Sequence, residues 1–338
     1  MHRTQKLRIL SSGICLPSER VKSDDLLVEI DSEKKYGIPT NWISETMGIR
    51  ERRMAKSECQ PSELAIPAAL QAIDCSLINT NEIGLIVFCG IERDQSEPAT
   101  AHTIQNKLKL NASHVFDVSN ACFGFIDGLE IANAFIRSGI TNYGLVVTGE
   151  VPGKILRAAV EKLKRGVDEK TARKTIGALS VGDAGGAVIV GLSEPEDSSG
   201  FELFNTTVDS AHGDKCKYRV LGDGSIDGQM LMGPISKAIV TRHEKLINDT
   251  LERLGWSGFD WMLTHQMGKR PFEKLAQING KKTGKMIKTF DTLGNITSAT
   301  FPVNFHKLTT TRKLTLGDRI GGCFAGSGLA IGQFGYTY

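Results

Sequence analysis

The stretch HVFDVSNACFGFIDGLEIANAF, residues 114–135, changes its period in the middle. His114 to Val118 is a short run of strand length, and beyond Phe123 the apolar residues recur at helical spacing: Phe125, Ile126, Leu129, Ala132 and Phe135. Ser119-Asn120-Ala121 makes the turn, and Cys122 sits where strand gives way to helix. The same grammar extends upstream. Ser62 to Ser76 places Leu64, Ala65, Ala68, Ala69 and Ala72 on one helical face, with Ser62 as the expected N-cap. Gly84 to Cys89 is a continuous apolar run of the kind a buried parallel strand shows, and Thr100 to Leu108 predicts a helix. Downstream, Gly144 to Thr148 predicts a third central strand. Such alternation argues for an α/β sheet covered on both faces.

The second half restarts in the same way. A long amphipathic helix is predicted from about Ile235 to Leu254 and a strand from Phe259 to Thr264. Helical segments follow at Arg270 to Ile278 and Thr297 to Leu308, and two glycine-rich strands run from Ile320 to Tyr336. Ser, Glu, Pro and Asp cluster between Ser193 and Gly200, which sets the expected boundary at about 195: one half over 1–195, the other over 196–338. The halves share architecture, not a residue-level repeat. Glu161 to Lys174 carries six basic residues against three acids. It reads either as a solvated helix or as part of a covering insertion, around 151–178, at a pocket mouth.

Composition bounds the function. The chain has 338 residues, 40% hydrophobic and 23% charged, as an ordered globular protein does, and 36 glycines without a G-X-Y period. A net charge of +3 gives no ground for a nucleic-acid partner. No run approaches the length of a membrane span. The basic start Met1-His2-Arg3 leads into an apolar stretch broken by Ser11, Ser12 and Gly13, unlike a secretory leader. The seven cysteines are odd in number, widely spaced and free of CxxC, so the expectation is reduced cytoplasmic thiols, no disulfide framework and no metal site. Phosphate-loop and dinucleotide fingerprints are absent, which leaves kinase and dehydrogenase readings without support.

Three residues carry candidate chemistry. Cys122, at a helix N-terminus, would feel the positive end of the dipole, which lowers a thiol pKa and suits covalent acyl transfer. His265 ends the strand before Gln266 and Met267, at the carboxyl end where α/β folds gather catalytic groups. Asn295 follows Gly294 at a helix start, where its side-chain NH₂ suits a developing oxyanion. Taken singly, each has an ordinary account: a small core residue, a structural histidine, a helix N-cap.

Together, and in this chain order, they resemble the thiolase superfamily, and within it the ketoacyl-ACP synthase III-like condensing enzymes. The strings are Asn120-Ala121-Cys122-Phe123-Gly124-Phe125, His265-Gln266 and Gly294-Asn295-Ile296-Thr297-Ser298-Ala299. Gly48-Ile49-Arg50-Glu51-Arg52-Arg53, Gly182-Asp183-Ala184-Gly185-Gly186-Ala187 and Gly326-Ser327-Gly328 match as well, so the resemblance spans nearly the whole chain. It implies a five-layered αβαβα thiolase fold of two pseudo-symmetric halves, working as a homodimer with no permanently bound cofactor. Cys122 would take an acyl group from an acyl-CoA or an acyl carrier protein. The backbone N–H groups of Cys122 and Ser327 would form the oxyanion hole, and His265 and Asn295 would hold the enolate of the second thioester.

The source of the carbanion divides the family. Decarboxylating a malonyl thioester needs no strong base, whereas deprotonating a second acyl-CoA does. Arg93-Asp94-Gln95-Ser96-Glu97-Pro98-Ala99-Thr100 resembles the loop of the olefin-pathway branch, OleA, in which a glutamate enters the partner subunit's site as base. That match makes Glu97 the candidate, although a solvated carboxylate before a helix-starting proline explains it too. Phe116-Asp117-Val118 and Leu254-Gly255-Trp256 are similar to the same branch, while Phe123 and Gly124 depart from the smaller or more aliphatic residues of many relatives. Lys269 and Arg270, just after the histidine, suit a CoA phosphate or an acidic carrier, or are an exposed charge pair at a helix start. The expected activity is therefore non-decarboxylative joining of two acyl-CoAs to a β-keto acid or thioester. The alternatives are a decarboxylative synthase III, acyl transfer to oxygen or nitrogen, and a non-catalytic subunit of a heteromer.

Overall fold

The computed structural model describes residues 5–220, 222, 226–278, 285–311 and 314–338. The basic start Met1 to Arg3 lies outside the described residues. In chain order the strands are β1 (Leu7–Cys15), β2 (Glu19–Lys22), β3 (Glu51–Met54), β4 (Ile83–Cys89), β5 (His114–Val118), β6 (Tyr143–Glu150) and β7 (Ala184–Leu192), then β8 (Gly200–Val208), β9 (Cys216–Val220), β10 (Ile226–Met230), β11 (Trp261–Thr264), β12 (Lys285–Met286), β13 (Arg319–Gly326) and β14 (Ala330–Thr337). The helices that build the layers and the site are α1 (Pro61–Ser76), α2 (Thr100–Leu108), α3 (Gly124–Arg137), α4 (Gly153–Lys164), α5 (Glu169–Thr175), α6 (Met232–Leu254), α7 (Lys269–Ile278) and α8 (Thr300–Thr311).

Two five-stranded sheets carry the fold, in the orders β1-β7-β6-β4-β5 and β8-β14-β13-β11-β12. Each runs antiparallel, antiparallel, parallel, parallel. Numbered within its own half, each sheet therefore has the same strand order, and the first lies wholly before residue 193, the second wholly after 199.

The layers follow from side-chain alternation. Leu85, Val87 and Cys89 of β4 face a core shared with Phe125 and Leu129 of α3, Phe301 and Phe305 of α8, and Leu263, Ile320 and Phe334 of the second sheet. Ile86 and Phe88 face the opposite way, onto Ala65, Ala68 and Ala72 of α1 and Ala101 and Ile104 of α2. On the outer side of the second sheet, Met262 and Cys323 pack against Val240 of α6 and Leu275 of α7. The result is helix, sheet, helix, sheet, helix. Phe301 is the hinge of the central layer, with ring centroids 5.5 Å from Phe125 and 5.6 Å from both Phe324 and Phe334.

Glycines let α1 lie close on the first sheet. A Cβ on Gly149 would stand 1.9 Å from the Pro61 carbonyl oxygen, and one on Gly185 2.0 Å from that of Leu64. The helix starts differently from the sequence expectation. Gln60, not Ser62, is the N-cap, and it forms a capping box with Glu63; Ser62 lies inside the first turn. The longer helix of the second half begins at Met232, three residues early, and the predicted strand from Phe259 is shortened to Trp261–Thr264. The predicted helix from Thr297 is a 3-10 turn over Thr297–Ala299 running into α8. No helix among the described residues is long and apolar enough to cross a membrane.

Candidate active site

Six loops leave the carboxyl ends of equivalent strands in the two halves: β4, β5 and β6 in the first, β11, β12 and β13 in the second. They deliver, in turn, the Glu97 loop, Cys122, Glu150, His265, Asn295 and Gly326-Ser327. This is where α/β sheets collect ligands.

Cys122 lies in a tight turn. Phe123 N–H donates to the Asn120 carbonyl at 3.0 Å, and Ala121 holds φ at +48°, a left-handed conformation that a non-glycine residue occupies at a cost. Asn120 is anchored by its NH₂ on Asp127 of α3, 2.8 Å away. The Gly326 backbone packs on this turn so closely that a Cβ there would stand 2.8 Å from the Asn120 oxygen and 2.9 Å from the Phe123 nitrogen. The next residue, Ser327, hydrogen-bonds through its side chain to the thiol of Cys216, which lies near enough to Cys122 to act on its ionisation. The expected low thiol pKa is corrected. Burial, reinforced by the nearby Cys216 and Glu150, pushes the Cys122 thiol well above its ordinary value. Desolvation of the charged form outweighs what the α3 N-terminus offers, and the resting residue is a neutral thiol.

His265 is 4% exposed and its backbone N–H donates to Cys323 of β13 at 2.9 Å. Burial pushes its imidazole down to about 4, so the ring is neutral at neutral pH. Nδ1 is buried with no hydrogen-bond partner among the described residues, and the neutral ring has one N–H to offer a ligand. Next to it, Gln266 is saturated: Nε2 donates to the Ile287 carbonyl at 2.7 Å, and Oε1 accepts from Thr289 and Phe290 N–H at 2.8 and 3.0 Å. That buried amide ties the histidine loop to the segment leading to Asn295.

Gly294 carries φ +67°, and a Cβ there would stand 2.6 Å from the Ser180 carbonyl oxygen. Glycine is required by both space and angle. Asn295 N–H then donates to that same oxygen at 2.8 Å, and Asn295 Oδ1 accepts from Thr297 N–H at 3.0 Å. With its oxygen engaged, the amide presents its NH₂ to a ligand.

Glu97 is exposed, in the loop between β4 and α2. Its loop is fixed at both ends: Asp94 accepts from Ser62 N–H at 2.9 Å, and Asp117 of β5 accepts from Thr100 and Ala101 N–H at 2.8 and 2.9 Å. The loop therefore rides on β5, the edge of its sheet, whose five residues are all half-buried.

A cavity of about 820 Å³ has Lys269 and Arg270 in its wall, with Trp42, Glu169, Arg173 and Met267. The charge-dense segment is thus two helices, α4 and α5, of which α5 forms part of a pocket wall. Cys122, His265 and Asn295 are not themselves in that wall, but Met267 brings it to within two residues of His265. Sequence reading missed Trp42 and Glu150. Trp42 stands shortly before the string from Gly48 to Arg53 with nothing in the sequence to mark it, and for Glu150 the signal was a lone acid closing an apolar strand; Arg173 belongs to the stretch read as a possible cover at a pocket mouth.

The family described as 3-oxoacyl-[acyl-carrier-protein] synthase III matches residues 116–211, and its C-terminal counterpart residues 251–337. The β-ketoacyl-[acyl-carrier-protein] synthase III of Neisseria meningitidis serogroup A is 30% identical over 312 residues, covering 88% of this chain and 89% of that protein. The chain belongs to the synthase III family. Synthase III 1 of Vibrio parahaemolyticus is likewise 30% identical, over 87% of this chain and 88% of its own. Among solved structures, OleA of Xanthomonas campestris superposes with a TM-score of 0.91 at 25% identity over 99% of both chains. Another OleA structure, with bound lauric acid and lauroyl-CoA, matches with a TM-score of 0.91 at 24% identity over 100% of both. The chain has the thiolase fold and is a condensing acyltransferase.

Proposed function

We propose that the enzyme joins two acyl-CoAs by non-decarboxylative Claisen condensation. Cys122 attacks the first thioester, the oxyanion rests on the backbone N–H groups of Cys122 and Ser327, and CoA leaves with a proton. Glu97 of the partner subunit removes a proton from the α-carbon of the second thioester. His265 Nε2–H and the Asn295 NH₂ donate to the enolate oxygen that forms. The carbanion attacks the acyl-Cys122 carbonyl, the new C–C bond forms, and the Cys122 thiolate departs, leaving a β-keto thioester that hydrolysis converts to the β-keto acid. A neutral imidazole and a neutral amide stabilise charge that exists only during reaction, as electrostatic catalysis requires.

The observation that carries this reading is the Glu97 loop. It is anchored on the edge strand β5, and Glu97 is exposed within it. Pairing of two β5 edges in a homodimer would continue the sheet and bring each loop toward the partner, a use of an otherwise unpaired edge. Lys269 and Arg270 in the cavity wall suit the phosphates of CoA, or an acidic carrier protein. The halves are read as 1–195 and 196–338 of a cytoplasmic enzyme.

The names of the relatives favour a second reading, decarboxylative extension with a malonyl thioester. Glu97→Gln separates the two. The first reading expects Cys122 to be acylated normally while condensation of two acyl-CoAs is lost. Product formed from a malonyl donor at the wild-type rate, with none from acyl-CoA alone in either protein, would establish the second.

A further inference from the structure

β6 ends in a carboxyl group that has little room to be charged. Glu150 is 1% exposed. Ile91 N–H lies 3.3 and 3.4 Å from its two oxygens, the Ser298 hydroxyl is hydrogen-bonded to it, and the Thr297 side chain faces it. The charged group acting on it from the loop after β4 is another acid, Glu92, itself paired with Lys154 of α4 at 3.2 Å. The thiols of Cys89 and Cys122 feel its charge in turn.

Ser298 decides where the proton is. Its Oγ lies 2.8 Å from the Cys89 carbonyl oxygen, 2.7 Å from the Thr148 hydroxyl, and against Glu150. One hydroxyl has one proton to donate and two lone pairs. The Cys89 carbonyl and an ionised Glu150 could both only accept, and one Ser298 proton cannot serve both. All three contacts have a proton when Glu150 is protonated: it and Thr148 then donate to Ser298, and Ser298 donates to Cys89.

We propose that Glu150 works as a neutral carboxylic acid, a positioning residue that fixes the Asn295 turn and keeps negative charge away from Cys122. The path is short: Glu150 O–H holds Ser298, and the residue before it, Thr297, donates its N–H to Asn295 Oδ1 at 3.0 Å. Thr297 stands at φ +50°, a conformation the turn must hold in place. Burial independently pushes the Glu150 carboxyl up to about 8. Once ionised, it would draw the Ser298 proton from Cys89 and set an anion where a thiolate and an enolate must form. The inference rests on the roles given above to Cys122 and Asn295.

The test compares wild type, Glu150→Gln and Glu150→Ala between pH 6.5 and 9.5. Two rates are read: alkylation of Cys122 by iodoacetamide, and single-turnover condensation starting from acylated enzyme. Gln donates to Ser298 as the neutral acid does, so it should keep condensation within about threefold at pH 7 and lose the wild-type fall near pH 8. Ala leaves Ser298 and Thr297 without that partner and should cost on the order of tenfold or more. The alkylation midpoint should move to lower pH in Gln, because no carboxylate opposes the thiolate. Gln as damaged as Ala, or a Gln profile with the alkaline fall unchanged, would overturn the proposal. A wild-type Cys122 that accepts no acyl group would instead overturn the site reading and this inference with it.

Discussion

Lowering the pH tests the enolate site through His265. The imidazole is 4% exposed, its Nδ1 has no hydrogen-bond partner among the described residues, and burial pushes its pKa from 6.5 down to about 4. At pH 5.5 an ordinary histidine is about 90% protonated, whereas a group titrating near 4 is only about 3% protonated. The neutral ring, with one N–H to donate, is therefore preserved almost fully across the range where surface histidines charge. Histidine ring carbon NMR reads this directly: seven histidines are present, and His265→Asn identifies the resonance by its loss. The expected signal stays at its neutral position down to pH 5 and moves only near 4. A midpoint close to 6.5 would refute the argument, because the ring would then be an imidazolium, and the site solvated, under mild acid.

Three further outcomes follow from the geometry. Gly149→Ala drives a Cβ to 1.9 Å from a backbone oxygen of α1, so neither neighbour can yield cheaply; a loss of several kcal/mol in denaturant unfolding is expected, and a change within 0.5 kcal/mol would contradict the packing. Replacing both Lys269 and Arg270 by alanine should raise KM for acyl-CoA by roughly threefold to tenfold with little change in kcat, since exposed charges contribute modestly; an unchanged KM would remove them from the entrance. Glu150 ionises near 4.5 when unfolded but holds its proton to about 8 when folded, so its cost to stability is absent below 4.5 and grows as pH rises toward 8. Glu150→Gln should therefore match wild type at pH 4.5 and exceed it by up to a few kcal/mol at pH 8; a gain independent of pH would contradict the buried-acid assignment.

Much of the fold is written in local patterns. The run at Gly84 to Cys89 and the period change at Cys122 reflect strands buried on both faces and a helix lying between two sheets, and both emerge within a residue or two of expectation. The positions of Cys122 and His265 are legible because each follows a strand and precedes a helix or turn, and that of Asn295 because it follows a glycine at a helix start; the string around each is distinctive. The thiol's ionisation was not legible. A helix N-terminus is visible in sequence, but the burial that outweighs it is a product of the fold, which lays Gly326 on the turn of Asn120 and Phe123, far apart in number. The Ser62 cap failed for a local reason: Gln60 and Glu63 satisfy each other's backbone reciprocally, which a single hydroxyl cannot do. The pocket wall draws on residues 36–47, 169–177, 230–236 and 267–271, and only the fold brings these together. Glu150 stood in plain view after Gly144 to Thr148, but the hydroxyl that reveals its proton lies 148 residues away.

The most direct measurement incubates the enzyme with a single saturated acyl-CoA and no malonyl donor, then weighs the intact protein and analyses the products. A mass increase of one acyl group on Cys122, with a β-keto thioester or acid built from two copies of that acyl chain, is the expected result. Acylated Cys122 that yields product only when malonyl-CoA is added would contradict the non-decarboxylative mechanism and leave Glu97 without a catalytic role.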